Sequence, residues 1–284
     1  MRSLKNLPHR DWGVIRDLWI DHLPDIDFSL AFPEPALWDL PEVKERLSNP
    51  PPNTELPYVD GVRESVFREA VVLTRKFSYC RMVGFDAATR GFPTWSVVAE
   101  YDACFYGAKA VCYLLGFASL ARDSKLYLDL FVPRRLGKAK QPVYDVLVAY
   151  RLDERLTHNI LWNLTGRLCR TLSLPVNARP LSDDLHSISF DRMSSFRNNL
   201  IYHGGYWLNW DDFLYCDLTR SLSNLDIFRA LQEPPDNPRD AERYFMMAAR
   251  LHNALVYFFS DIAKLAPAIG PEVTALTNWW DQRA

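Results

Sequence analysis

"TWSVVAEYDACFYGAKAVCYLLGFASLA", residues 94 to 121, decides the class of fold. Its apolar residues recur at spacings of three and four, the period of an α-helix. They cover so much of the circumference that the helix must be surrounded by other elements, as the central member of a bundle. Thr94 or Ser96 supplies a side-chain oxygen for its N-cap. Glu100 and Asp102 place two acids on it, which suits a structural salt bridge or, for Glu100, a position facing a polar site.

Outward from this segment the helical pattern repeats. "VRESVFREAVVLTRKFSYCRMV" follows Gly61 with the same spacing. Further helices are expected over 155–173, from about 183 to 203, over 239–265, and at "TALTNWW" near the end. Two stretches break the pattern. "KLYLDLFVP" (125–133) and "VYDVLVAYR" (143–151) alternate apolar and polar residues and are rich in β-branched and aromatic types, so they read as a hairpin. The basic tip between them carries Arg134, Arg135, Lys138 and Lys140, which suit a phosphate backbone or a solvated turn. Residues 11–22 form a short amphipathic helix ended by Pro24, and 23–60 form an irregular, proline-rich connector with one short helix near 41–48. The expected architecture is mainly α: a helical bundle over 61–284 with a small β-hairpin insertion near 124–152, preceded by an N-terminal extension, residues 1–60.

Composition narrows the function classes. A chain of 284 residues, 48% apolar and 24% charged, buries a sizeable core, and its net charge of −2 excludes a wholesale basic protein. Nucleic-acid contact must then come from a local patch. The five cysteines (Cys80, Cys104, Cys112, Cys169 and Cys216) form no CxxC pair and read as reduced thiols of a cytoplasmic protein. The first residues are too polar for a signal peptide and no run is long enough to span a membrane, so no membrane partner is expected. HExxH, zinc-type Cys/His spacing, Walker A and GxSxG are all absent, and neither metal nor cofactor is expected.

The densest polar chemistry lies in "SSFRNNLIYHGGYW", residues 194–207. On a helix over 184–203, Phe190, Met193, Phe196, Leu200 and Ile201 make an apolar face. Arg197 and His203 are six positions apart, about 9 Å of rise and about 120° of rotation. A long arginine still converges with the histidine on a small anion, and more easily across a two-fold interface. Gly204 and Gly205 supply the usual helix stop and put His203 in the last turn, where the helix dipole favours imidazolium. A cation at Arg197 opposes that effect.

An arginine followed by a polar residue and, four to six residues on, a histidine resembles the motif of the HEPN family (higher eukaryote and prokaryote nucleotide-binding domains). The match is "RNNLIYH", with Arg197, Asn198 and His203, and with Tyr206 shortly after. The resemblance covers about residues 61–265 in helix order and only the short motif in detail. It implies a HEPN-like bundle. It also implies a metal-independent endoribonuclease, a toxin or antiviral effector, that dimerises through the Arg197–His203 helix around one composite site and takes RNA, tRNA included. His203 suits acid–base work and Arg197 suits the phosphate oxygens. Asn198 suits orientation of the phosphate or of His203. Tyr202 and Tyr206 suit base stacking or packing at the bundle edge. The alternative is a non-catalytic HEPN-like module that binds a nucleotide or a regulatory protein partner as a sensor or partner subunit.

Other arginine–histidine pairs fit the bare spacing: Arg2–His9, Arg16–His22, Arg151–His158 and Arg179–His186. The first precedes a proline in the N-terminus. Arg16–His22 lies before the bundle, Arg151–His158 begins at a strand end, and Arg179–His186 crosses Pro180. Asp183, Asp184 and His186 read as a helix N-terminus, and Asp211 and Asp212 as a cap for the segment that follows. Cys169 with His158 has only composition to recommend it as a nucleophile pair.

Overall fold

The computed structural model describes residues 7–21, 45, 54–57, 61–90, 92–119, 126–133, 142–151, 158–187 and 240–281. In chain order they form β1 (Arg10–Asp11), α1 (Trp12–Ile20), β2 (Thr54–Pro57), α2 (Val62–Thr89), α3 (Pro93–Leu114), β3 (Phe117–Ser119), β4 (Leu126–Asp129), β5 (Val146–Arg151), α4 (His158–Thr171), β6 (Leu172–Ser173), α5 (Arg179–Ser187), α6 (Asp240–Ala263) and α7 (Gly270–Asp281). The chain is mainly helical, with a small antiparallel sheet.

The helix read over 94–121 is the centre of the bundle: Val97, Tyr101, Cys104, Ala108, Val111 and Leu114 are all buried. Its ends differ from the sequence expectation. Neither Thr94 nor Ser96 caps it. The N-cap is Phe92, without a side-chain bond, and Pro93 opens the first turn, where its missing N–H costs nothing. At the other end Gly116, at φ +80°, turns the chain, and Phe117–Ser119 continue as a strand. An added Cβ at Gly116 would lie 2.1 Å from the Phe131 ring, so glycine is required there for space and for backbone conformation. α2 packs along α3, and the two approach closely where Gly107 faces Phe77 (2.8 Å from a built Cβ to the ring).

The two strands read at 125–133 and 143–151 pair antiparallel as β4 and β5, with Leu128 opposite Ala149. They form the middle of a four-stranded sheet, β2-β5-β4-β3. β2 comes from the stretch read as irregular connector and β3 from the tail of the central helix. Neither four nor three residues show a period, so both depend on β5 and β4 for their backbone partners. The sheet packs on the helices with Tyr127, Leu128, Leu147, Val148 and Ala149 buried.

α1 is part of the same core. Asp11 caps it by accepting from the Val14 amide, and Trp12, Ile15 and Trp19 are buried at helical spacing. The Trp12 indole N–H donates to Asp261 of α6 at 3.0 Å, and that of Trp19 to the Leu114 carbonyl at 2.7 Å. The Arg10 guanidinium, itself buried, donates to the Leu115 carbonyl and to Asp129 of β4, both at 2.7 Å.

α5 begins four residues before Asp183, with Pro180 in its first turn. Asp183, Asp184 and His186 therefore lie inside a helix and do not start one, and Arg179 and His186 share that helix despite the proline. They do not converge: Arg179 is exposed near Asp183, and a ring nitrogen of His186 faces the Leu172 carbonyl at 3.3 Å. Among the described residues no helix is long and apolar enough to cross a membrane.

Candidate functional site

Arg197, Asn198, Tyr202, His203 and Tyr206 lie outside the described residues, as do Arg134, Arg135, Lys138, Lys140, His22, Asp211, Asp212 and Cys216. The chemistry-bearing side chains that the described body does bring together are on α2, α3, α4 and α6.

A buried polar seam runs between α2, α3 and α6. Arg81 lies on the stripe of α2 that also buries Ala70, Thr74 and Phe77. Its guanidinium Nε is 3.4 Å from Oε2 of Glu100 on α3, and both side chains have no solvent exposure. Glu100 is pressed in place. A Cβ built on Gly84 of α2 would meet its Oε1 at 3.3 Å, and Ser96, one turn earlier on α3, is equally buried. His252 of α6 closes the seam, its ring stacked on Phe77 at 6.2 Å, with the Arg81 cation 5.8 Å from the same ring.

Burial sets the charges here. It pushes the Glu100 carboxyl up to about 7, against the pull of Arg81. Burial, and then Arg81, hold His252 well below the ordinary histidine range, so its imidazole is neutral. The seam is a fixed cation, an acid that titrates near neutrality and a neutral imidazole, all shielded from water. Of the two readings open for Glu100, the ion pair is the one with a partner in view.

A second cluster sits where α4 meets α3. The Tyr101 hydroxyl hydrogen-bonds Nδ1 of His158, the first residue of α4. The two rings are nearly parallel, 5.6 Å apart, and Phe105 stacks on His158 at 4.5 Å. Trp162 and Tyr244 press edge-on against Tyr101. The Tyr101 hydrogen bond and the two rings hold the imidazole, which stays half-buried. Its composition-only partner, Cys169, is fully buried, and burial drives that thiol far up, so it is no nucleophile. Cys104 and Cys112 are buried free thiols too, and burial raises both. Arg151 ends β5 while His158 opens α4, so that pair shares no helix. Among the described residues no three His, Cys, Asp or Glu side chains group as a metal site.

Comparison with protein-family models, with characterised proteins and with solved structures gives no match to this chain. The functional reading therefore rests on the residues themselves. The sequence reading passed over Arg81, Tyr101 and His252, and it named His158 only beside Arg151 and Cys169, never with Tyr101. Arg81 and His252 carried a legible signal, since each puts a polar group on the apolar stripe of a strong helical pattern. Tyr101 and His158 carried none, because the contact joins residues 57 positions apart.

Proposed function

We propose that the protein is a HEPN-type, metal-independent endoribonuclease, with Arg197 and His203 as its reacting pair. The observation that carries this reading is "RNNLIYHGG", residues 197–205: arginine, asparagine, histidine and a glycine stop at the predicted end of one helix. A mainly helical body with a broad central helix supports it, because a reactive pair at a helix end needs rigid packing beneath it.

In this mechanism the ribose 2′-hydroxyl loses its proton to an imidazole as its oxygen attacks the adjacent phosphorus. The bond to the 5′-oxygen breaks, and that oxygen takes a proton from a second imidazole. In a homodimer the two His203 rings divide these roles. The Arg197 guanidinium donates two parallel hydrogen bonds to the non-bridging oxygens, where negative charge accumulates. Asn198 orients the phosphate, and Tyr202 and Tyr206 stack the flanking bases. Arg134 and Arg135 extend the contact to the backbone. The products are a 2′,3′-cyclic phosphate and a 5′-hydroxyl. The assignment as a toxin or antiviral effector acting on RNA, tRNA among its targets, belongs to this same proposal.

The test is cleavage of single-stranded RNA and of tRNA by the full chain in EDTA. Arg197→Ala and His203→Ala are each expected to lower the rate by about 10²–10⁴-fold. Undiminished cleavage by either variant refutes the pair. A stable complex with another protein and no cleavage of any RNA would favour the non-catalytic module.

A further inference from the structure

The backbone of residues 7–21 pairs with the rest of the described chain over two positions, Arg10 beside Leu172 and Asp11 beside Ser173. Among the described residues, the other attachments to the body formed by β2 to α7 run through side chains of the segment. Three of these share one face of α1 at i, i+3 and i+7. They are Trp12, Ile15 and Trp19, each no more than 3% exposed. The Trp12 ring centre lies 4.3 Å from that of Phe258 on α6. That of Trp19 lies 5.3 Å from Phe67 of α2 and 4.9 Å from Phe131, just past β4. Val14 and Asp17, on the opposite face, are exposed. This is the spacing by which an amphipathic peptide helix anchors itself on a protein partner.

The body also offers acceptors for the donors that these anchors carry in. Asp261 of α6 takes the Trp12 indole N–H, and the Leu114 carbonyl at the end of α3 takes that of Trp19. The Arg10 guanidinium donates to the Leu115 carbonyl and to Asp129 of β4. Arg16, at the rim, reaches Asp261 at 3.3 Å. Two tryptophans and an arginine at a dry centre, with a charged rim, are the residue types that dominate the energy of protein interfaces. The ends of α1 are served from within the segment. Asp11 accepts from the Val14 amide, and the Asp21 amide donates to the Asp17 carbonyl. At 9 residues, against 28 in α2 and 22 in α3, α1 is laid out as a ligand of the bundle.

We infer that the body carries a docking site for a helical peptide of the pattern Arg-x-Trp-x2-Ile-x3-Trp, and that residues 10–19 are its ligand in cis. The segment docks and leaves as one unit, and the site accepts it from a separate chain. Residues 22–53 tether it to β2, so its effective concentration keeps the site filled. Because the acceptors lie on α3, β4 and α6, an occupied site holds the helices to the sheet. The site is independent of the nuclease reading and is tested without RNA.

The full chain, with a protease recognition sequence inserted after Leu40, is purified intact and then cut. Fragment 1–40 is expected to stay bound on gel filtration. An excess of a fluorescein-labelled synthetic peptide, residues 5–22, is expected to replace it. Trp12→Ala and Trp19→Ala in the peptide are each expected to weaken its binding by about 30-fold or more, and Arg10→Ala by about 10-fold or more. Asp17→Asn, on the exposed face, is expected to stay within about 2-fold of the parent. These changes leave the body untouched, so they report docking and not folding. A fragment that separates as soon as the chain is cut overturns the inference. A fragment that stays but never exchanges overturns it too, because the segment is then an inseparable part of the core. Equal binding of the parent peptide and of an unrelated amphipathic helix also overturns it.

Discussion

At the scale of the residue, Glu100 and His252 make the interior respond to pH in opposite directions. Burial raises the Glu100 carboxyl from 4.5 to about 7, so the folded protein holds a proton that the unfolded chain has released. Its contribution to stability is complete below about pH 4.5 and is lost as pH rises through 7. The neutral His252 does the reverse. Its contribution is present above about 6.5 and is lost as pH falls below that, because only the unfolded chain takes up the proton. Denaturant melts of Glu100→Gln are expected to lose the decline between pH 4.5 and 7, on the order of 2–3 kcal/mol for a group so fully buried. His252→Gln is expected to lose part of the acid-side decline. An unchanged pH profile in Glu100→Gln would show that Arg81 holds the carboxylate ionised throughout. Arg10 and Asp129 form a second buried ion pair. Arg10→Ala leaves a buried carboxylate with one remaining contact in view, the Phe131 amide, and is expected to cost about 3–5 kcal/mol in a urea titration.

At the scale of the element, the glycines separate backbone need from packing need. Gly116 ends α3 at φ +80° with the Phe131 ring against it, whereas Gly270 opens α7 with nothing within 4 Å of a built Cβ and a helical φ of −51°. Gly116→Ala is expected to cost about 3 kcal/mol or more, combining left-handed strain with overpacking. Gly270→Ala is expected to be neutral or stabilising by up to about 1 kcal/mol. Thermal melts of the two variants check the contrast, and equal melting temperatures would contradict the placement of the α3–β3 turn. The helical elements were legible because their period is local: Val62–Thr89, Pro93–Leu114 and Asp240–Ala263 all follow apolar spacing that any single sequence displays. Thr54–Pro57 and Phe117–Ser119 were not, since a strand of three or four residues has too few alternations to be told from a loop. The start of α5 was displaced for a related reason. Pro180 reads as a breaker but sits where a helix tolerates it.

At the scale of the whole molecule, the N-terminal segment and the bundle share one core through Trp12, Ile15 and Trp19. Two indole hydrogen bonds and the Arg10 guanidinium tie residues 10–19 to α3, β4 and α6. α2, α3 and α6 then enclose the seam. Of the candidate site, "RNNLIYH" was readable because its residues are neighbours in the chain. The seam could not be read in the same way, because Arg81, Glu100 and His252 come from three helices.

The sequence alone determined that this chain is mainly helical, that the helix read over 94–121 lies at its centre, and that the stretches 125–133 and 143–151 pair as strands, because amphipathic period and strand alternation are properties of neighbouring residues. Only the tertiary structure decided that an arginine, a glutamate and a histidine meet in the dry interior. It also decided that Tyr101 holds His158. The physical reason is range: burial and charge are set by what surrounds a side chain in space, and those neighbours are separated from it by tens to more than a hundred positions along the chain.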